Sequence, residues 1–165
     1  MTTWTQVRKR NIALIDKLSV RAIGHIMAEI TQEEATTYRD SGDGWTVMEV
    51  VGHLLDADRV FLSRAKMILA QDHPDLPVFD HEQDVIDGQY NAQDKDAVFA
   101  QLAAHRAQFA AWFRELTDEQ WERSGTHPER DYPFTLTDAL MQVALHDNIH
   151  LEQITRILAE KRPSP

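Results

Sequence analysis

LTDALMQVALHDNIHLEQITRILAEK, residues 136 to 161, is the stretch whose reading decides the fold. Its apolar positions Ala139, Val143, Ile154 and Ile157 recur at three- and four-residue spacing, the period of a helix that buries one face. His146 and His150 fall on the same stripe, four residues and therefore about one turn apart. The helix thus points two imidazoles inward, where unpartnered polar rings are costly to bury. Thr135 supplies a capping hydroxyl before it and Pro163 a stop beyond it.

Working outward, three more segments carry a helical period. The first spans about 4 to 30, with a stripe of Val7, Leu14, Ile15, Leu18, Ala22 and Ile26. The second spans about 46 to 70 and opens on a capping box, Thr46 with Glu49 three residues later. Its inward stripe reads Val50, His53, Leu54, Ala57, Val60, Phe61 and Ile68, so a third histidine faces the interior. The third spans about 94 to 116 and carries Val98, Phe99, Leu102, Phe109, Trp112, Phe113 and Leu116. Thr117 opens a short turn containing Trp121.

Two irregular connections separate these segments. Pro74, Pro77 and Gly88 break residues 73 to 91, with room for a short helical turn, and Gly125, Pro128 and Pro133 break the stretch before Thr135. No strand alternation persists. The reading is therefore a single all-α domain over 1–165, a four-helix bundle whose long connections after helices two and three leave room for crossovers.

Composition narrows the function. With 42% apolar and 27% charged residues the chain has the makings of an ordinary folded domain. A net charge of −10 opposes a nucleic-acid partner, and Arg8-Lys9-Arg10 reads as a solvated face. No apolar run reaches the roughly 20 residues of a membrane span, and the start of the chain has no signal-peptide pattern, so a cytoplasmic protein without a membrane partner is expected. The absence of cysteine rules out a cysteine nucleophile or ligand of the chain's own.

His53, His146 and His150 are the candidate metal ligands, because bundle metals are held by side chains of facing helices. Neutral imidazole suits zinc and nickel. The pair resembles the zinc-protease pattern, but Asp147 stands where that pattern has glutamate and no third histidine follows, which sets the protease reading aside. Glu49 and Gln142, each four residues before a proposed ligand, are candidates for facing the substrate or supporting a ligand, as is His127 in the irregular segment before the last helix. His73 and His81 read as solvated, His25 and His105 as core edge or surface, and Asp147 as a partner for the helix surface or a neighbouring chain.

Trp45-Thr46 followed by Val51-Gly52-His53-Leu54, the late segment Leu145-His146-Asp147-Asn148-Ile149-His150-Leu151-Glu152-Gln153-Ile154, and Gly125-Thr126-His127-Pro128 together resemble the DinB/YfiT-like superfamily of metalloenzymes over nearly the full chain. The resemblance implies a four-helix bundle, commonly homodimeric, holding one divalent zinc, nickel or similar ion on the positions of His53, His146 and His150. It also implies transfer or isomerisation reactions that use a low-molecular-weight thiol. A three-histidine site leaves a coordination position open, as catalytic sites do. The expectation is a metal-dependent transferase or hydrolase, with the thiol as a cosubstrate. The alternative is a non-catalytic bundle in which the metal has a structural, stress-response or sensing role. A pocket bounded by the 73 to 91 connection and opening onto the metal would favour the enzyme.

Overall fold

A computed structural model of the chain describes residues 3–162; Pro163 lies outside them. Four long helical stretches form the bundle. The first is α1 (Thr3–Ala13) and α2 (Val20–Glu29), joined through a π-helical segment, Leu14–Ser19. The others are α4 (Val47–Ala70), α6 (Lys95–Arg114) and α8 (Leu136–Lys161). Short helices decorate the connections: α3 (Gln32–Thr37), α5 (His81–Gly88) and α7 (Asp118–Trp121), with a 3-10 turn at Tyr90–Ala92.

The helix starts are dictated locally. The side chains of Thr46 and Thr135 accept from the backbone N–H of Glu49 and Asp138, and their own backbone N–H groups donate the reciprocal bond to the Glu49 and Asp138 carboxylates, while Asp94 caps α6 and Thr117 caps α7. The same Thr-x-x-Glu pattern at Thr31 and Glu34 starts α3, a helix the periodicity reading passes over because six residues are too few to show a stripe.

The π-helical segment corrects the face assigned to the first helix. Leu18 is 59% exposed, and the buried stripe runs Ile12, Ile15, Ser19, Ile23 and Met27. One wide turn shifts the phase of everything after it, which an unbroken 3.6-residue period does not anticipate. Arg8 is corrected too. It is buried, lies over the Trp121 ring at 4.8 Å, and donates to Thr137 Oγ1 and Glu122 Oε1.

Both α4 and the α1–α2 stretch pack chiefly on α6 and α8, so these two stretches stand diagonally opposite. The diagonal crossings therefore follow the first and third long helices, whereas α4 and α6 are neighbours in spite of the long connection between them. A two-stranded antiparallel ribbon, β1 (Ser124–Thr126) with β2 (Pro133–Thr135), precedes α8 and corrects the expectation of no strand. Three-residue strands are too short to show alternation. No described helix is long and apolar enough to cross a membrane.

The buried apolar residues form two clusters, one around Ile15, Phe61, Phe109 and Val143, the other around Met27, Leu54, Leu102 and Ile154. Between them, at the middle of the bundle, lies a polar layer containing His53, Asp58, Arg106, Asp147 and His150. The site is built from this layer.

Candidate metal centre

Helix α4 brings His53 and α8 brings His146 and His150 to one point. His53 Nε2 lies 2.9 Å from His146 Nε2, which lies 3.1 Å from His150 Nε2. Among the described residues this is the group of three metal-competent side chains whose ligand atoms all lie within 4.8 Å of one another.

The hydrogen-bond pattern fixes one tautomer. Asp40 accepts from Gln153 Nε2 at 2.9 Å, so the Gln153 amide turns its oxygen to His150 Nδ1, 2.7 Å away. His150 must then carry its proton on Nδ1 and aim the Nε2 lone pair into the triad. Arg156, on the same helix, holds Asp40 with both terminal guanidinium nitrogens. The chain Arg156, Asp40, Gln153 and His150 is the kind of support that metal-ligating histidines ordinarily have.

The remaining rings cannot satisfy one another. His146 Nε2 faces two ring nitrogens and has at most one proton to donate, and His53 Nδ1 is buried without a partner. Burial pushes the His53 pKa down to about 2 and that of His146 to about 3, with the neighbouring imidazoles adding to the effect, and burial lowers His150 as well. Three neutral imidazoles with converging nitrogens fit a divalent ion, which can accept all three lone pairs at once.

Aromatic rings wall the triad. Trp45 packs on His53 with ring centroids 4.7 Å apart, Phe79 stacks on His53 at 6.3 Å, and Phe61 meets His146 edge-on at 5.7 Å. The nitrogens open on a cavity of about 360 Å³, whose wall includes Val78, Phe79 and His81 from the connection after α4, and Arg64, His127 and Gln142. His81 is largely solvated, as expected, yet its ring stands 5.9 Å from that of His53 at the cavity wall.

The other named residues separate. Gln142 lines the cavity, its buried Oε1 without a partner, and His127 is buried in the wall against Arg64. Glu49 does not line it, which corrects its assignment to the site. Its carboxylate accepts from Thr46 N and Asn91 Nδ2 and pairs with Arg39. A shared helical face does not aim a side chain that the first turn already holds. Asp147 is corrected as well: it is 1% exposed and accepts from Arg106 at 2.6 and 2.5 Å, inside the bundle. His73 lies away from the triad beside Ser124, His25 is exposed, and His105 sits 4.0 Å from Asp58.

The sequence reading passes over Gln153, Asp40 and Arg64. Gln153 follows His150 by three residues and Arg64 follows His53 by eleven, both same-face spacings, so a signal exists for each. Asp40 lies in a loop and has none.

The family model of the DinB superfamily matches residues 3–154. The chain belongs to that superfamily. It is 31% identical over 122 residues to YfiT of Bacillus subtilis strain 168, named as a candidate metal-dependent hydrolase, covering 74% of this chain and 67% of that protein. A similarly named protein of Oceanobacillus iheyensis is 25% identical over 141 residues, covering 86% and 80%. The solved structure of YfiT, described as a four-helix bundle of unusual topology, superposes with a TM-score of 0.84 at 25% identity, covering 97% of this chain and 89% of that one. A mycothiol-dependent maleylpyruvate isomerase shares the fold, with a TM-score of 0.71 at 15% identity over 96% and 71% of the two chains.

Proposed function

We propose that this protein is a metal-dependent enzyme, a transferase or hydrolase, in which His53, His146 and His150 hold one divalent ion, zinc or nickel. The observation that carries this reading is the convergence of three ring nitrogens, one with its lone pair fixed, on the floor of a cavity open to solvent. The names of the relatives in Bacillus and Oceanobacillus support metal-dependent chemistry. Opening of the cavity between α8 and the segment carrying Val78, Phe79 and His81 favours a substrate site over a purely structural ion, as does the lack of a fourth described protein ligand.

A divalent ion would supply Lewis acidity, making a water or thiol that reaches it a nucleophile near neutral pH. The chain's own part is to orient His150 through Gln153 and Asp40, and to wall the three neutral imidazoles with the rings of Trp45, Phe61 and Phe79. Because the chain has no cysteine, a thiol nucleophile would come from a small-molecule cosubstrate. The mycothiol-dependent fold relative makes that route worth testing beside hydrolysis.

The test is metal analysis of protein purified without an affinity tag, then titration with Zn²⁺ and Ni²⁺ and assays for hydrolysis and thiol transfer. One divalent ion per chain, lost in His146→Ala and His150→Ala, is the expected result. Unchanged affinity in both variants would remove the site and the chemistry with it.

A further inference from the structure

Arg64 projects from α4 three turns beyond His53, into the wall of the same cavity. It is only 4% exposed, and no carboxylate oxygen lies within 4.0 Å of it among the described residues. Two of its five N–H groups are engaged: Nη1 meets His127 Nε2 at 3.1 Å and Nη2 donates to the Pro77 carbonyl. Its Nε is buried without a partner. A guanidinium stays charged at any ordinary pH, so this is a buried cation with no counter-ion in contact. Glu129, the acid at the cavity rim, is exposed and makes no ion pair with Arg64, though its charge acts on Arg64 from a distance and is opposed there by that of the neighbouring Arg130.

His127 points the same way. Arg64 Nη1 presents a donor to its Nε2, and the Glu129 backbone N–H presents another to its Nδ1 at 3.2 Å. Burial and the Arg64 charge lower the His127 pKa, which keeps the ring neutral. A neutral imidazole accepts at only one nitrogen, so one of the two donors meets an N–H instead of a lone pair. At Arg64 and His127 the wall thus presents a buried guanidinium with no carboxylate in contact and more donors than acceptors, the complement of an oxyanion.

We propose that Arg64 and His127 form an oxyanion subsite that takes a carboxylate or phosphate group of the substrate while its reacting end reaches the histidine triad. The second half of this statement rests on the metal reading above; the first half does not.

Calorimetric titration of the metal-loaded protein with succinate, inorganic phosphate and uncharged succinamide tests it. Succinate, phosphate or both should bind saturably and succinamide should not; which of the two binds tells a carboxylate group from a phosphate one. Arg64→Met should weaken anion binding by about 30-fold or more, the size expected when one partner of a desolvated charge pair is truncated, with Arg64→Lys between the two. His146→Ala should keep the anion affinity within a few-fold even where its metal is lost. The reverse pattern, anion binding indifferent to Arg64→Met but abolished by His146→Ala, would mean the anion sits on the metal and would overturn the subsite. Equal binding of succinate and succinamide, or saturation by neither anion, would overturn it on the wild-type protein alone, whether or not Arg64→Met folds. Arg64-dependent anion binding in a protein that takes up no divalent ion would leave the subsite standing and remove the metal reading.

Discussion

Helices α4 and α8 each contribute to two polar triads at the middle of the bundle, and the two triads have opposite characters. His53 and Asp58 are five residues apart on α4, and His146 and Asp147 are adjacent on α8, so each pair diverges by about 100° to 140° around its helix. One side gathers His53, His146 and His150 against the cavity. The other gathers Asp58 and Asp147 about Arg106, each 1% exposed. The aspartate triad is closed to solvent: Asp147 takes a two-pronged bond from Arg106, whose Nε also donates to Asp58 Oδ2, leaving Asp58 Oδ1 as its one buried oxygen without a partner. The histidine triad is open, with lone pairs converging and His53 Nδ1 unpartnered. Where polar groups pair with opposite charge out of reach of solvent, their work is to hold the helices. Where they leave lone pairs free beside a cavity, they offer atoms to a ligand.

The largest effect should come from the closed triad. Arg106→Met leaves two buried carboxylates without a cation and should cost about 3–5 kcal/mol in urea unfolding. A loss under about 1 kcal/mol would show that water reaches this layer, and the contrast with the histidine side would fail. Replacing Asp58, Arg106 and Asp147 together with apolar residues of similar volume should recover most of that loss, since the pair's desolvation penalty disappears with it.

Next is the open triad. His53→Ala, His146→Ala and His150→Ala should each weaken Zn²⁺ binding by more than about 100-fold, beyond what loss of a supporting partner produces. Each should disturb the metal-free fold less than Arg106→Met does, because the ring removed has no full set of partners to abandon. Gln153→Ala should have a smaller effect, about 10- to 100-fold in affinity, by freeing the His150 tautomer. Its signature is a change in the His150 ring nitrogen shifts in NMR spectra of the metal-free protein. If those shifts stay put, the Gln153 and Asp40 relay does not set the tautomer.

These two triads were not equally visible in the sequence. The long helices and the inward histidines are legible because stripes of Leu, Ile, Val and Phe have a strong period and His53 sits within one, as do His146 and His150. Thr46 and Thr135 mark helix starts for the same local reason. The aspartate triad is invisible to that reading, since a charged residue such as Asp147 or Arg106 is assigned to the surface unless its partner is known, and the partners lie 41 and 48 positions apart in the chain. The exposed Leu18 and buried Ser19 escape because a single π turn rephases the first helix. Glu49 misleads because periodicity gives a face and not the direction of a side chain already held by a cap.

The most discriminating effect is in pH, where the two triads carry opposite signs. The buried imidazoles of His53 and His146 protonate in the native protein only near pH 2 to 3, whereas in the unfolded chain they do so near 6.5. Below about pH 6.5 the unfolded state therefore binds more protons. The stability they contribute is fully present above that pH and is lost as pH falls toward the folded values, by up to about 1.4 kcal/mol per pH unit for each ring. His150, His105 and His127, also lowered by burial, act in the same direction. Asp58 acts in the other. Burial raises its carboxyl from 3.8 to about 7 against the pull of Arg106, so between those values the native state binds the extra proton and gains stability as pH falls. Histidines outnumber it, so the urea midpoint of the metal-free protein should hold from pH 8 to 7 and decline below about 6.5. Asp58→Asn should steepen that decline and His146→Ala should flatten it. If both variants track the wild type from pH 7 to 4.5, neither triad keeps the protonation state that its burial dictates.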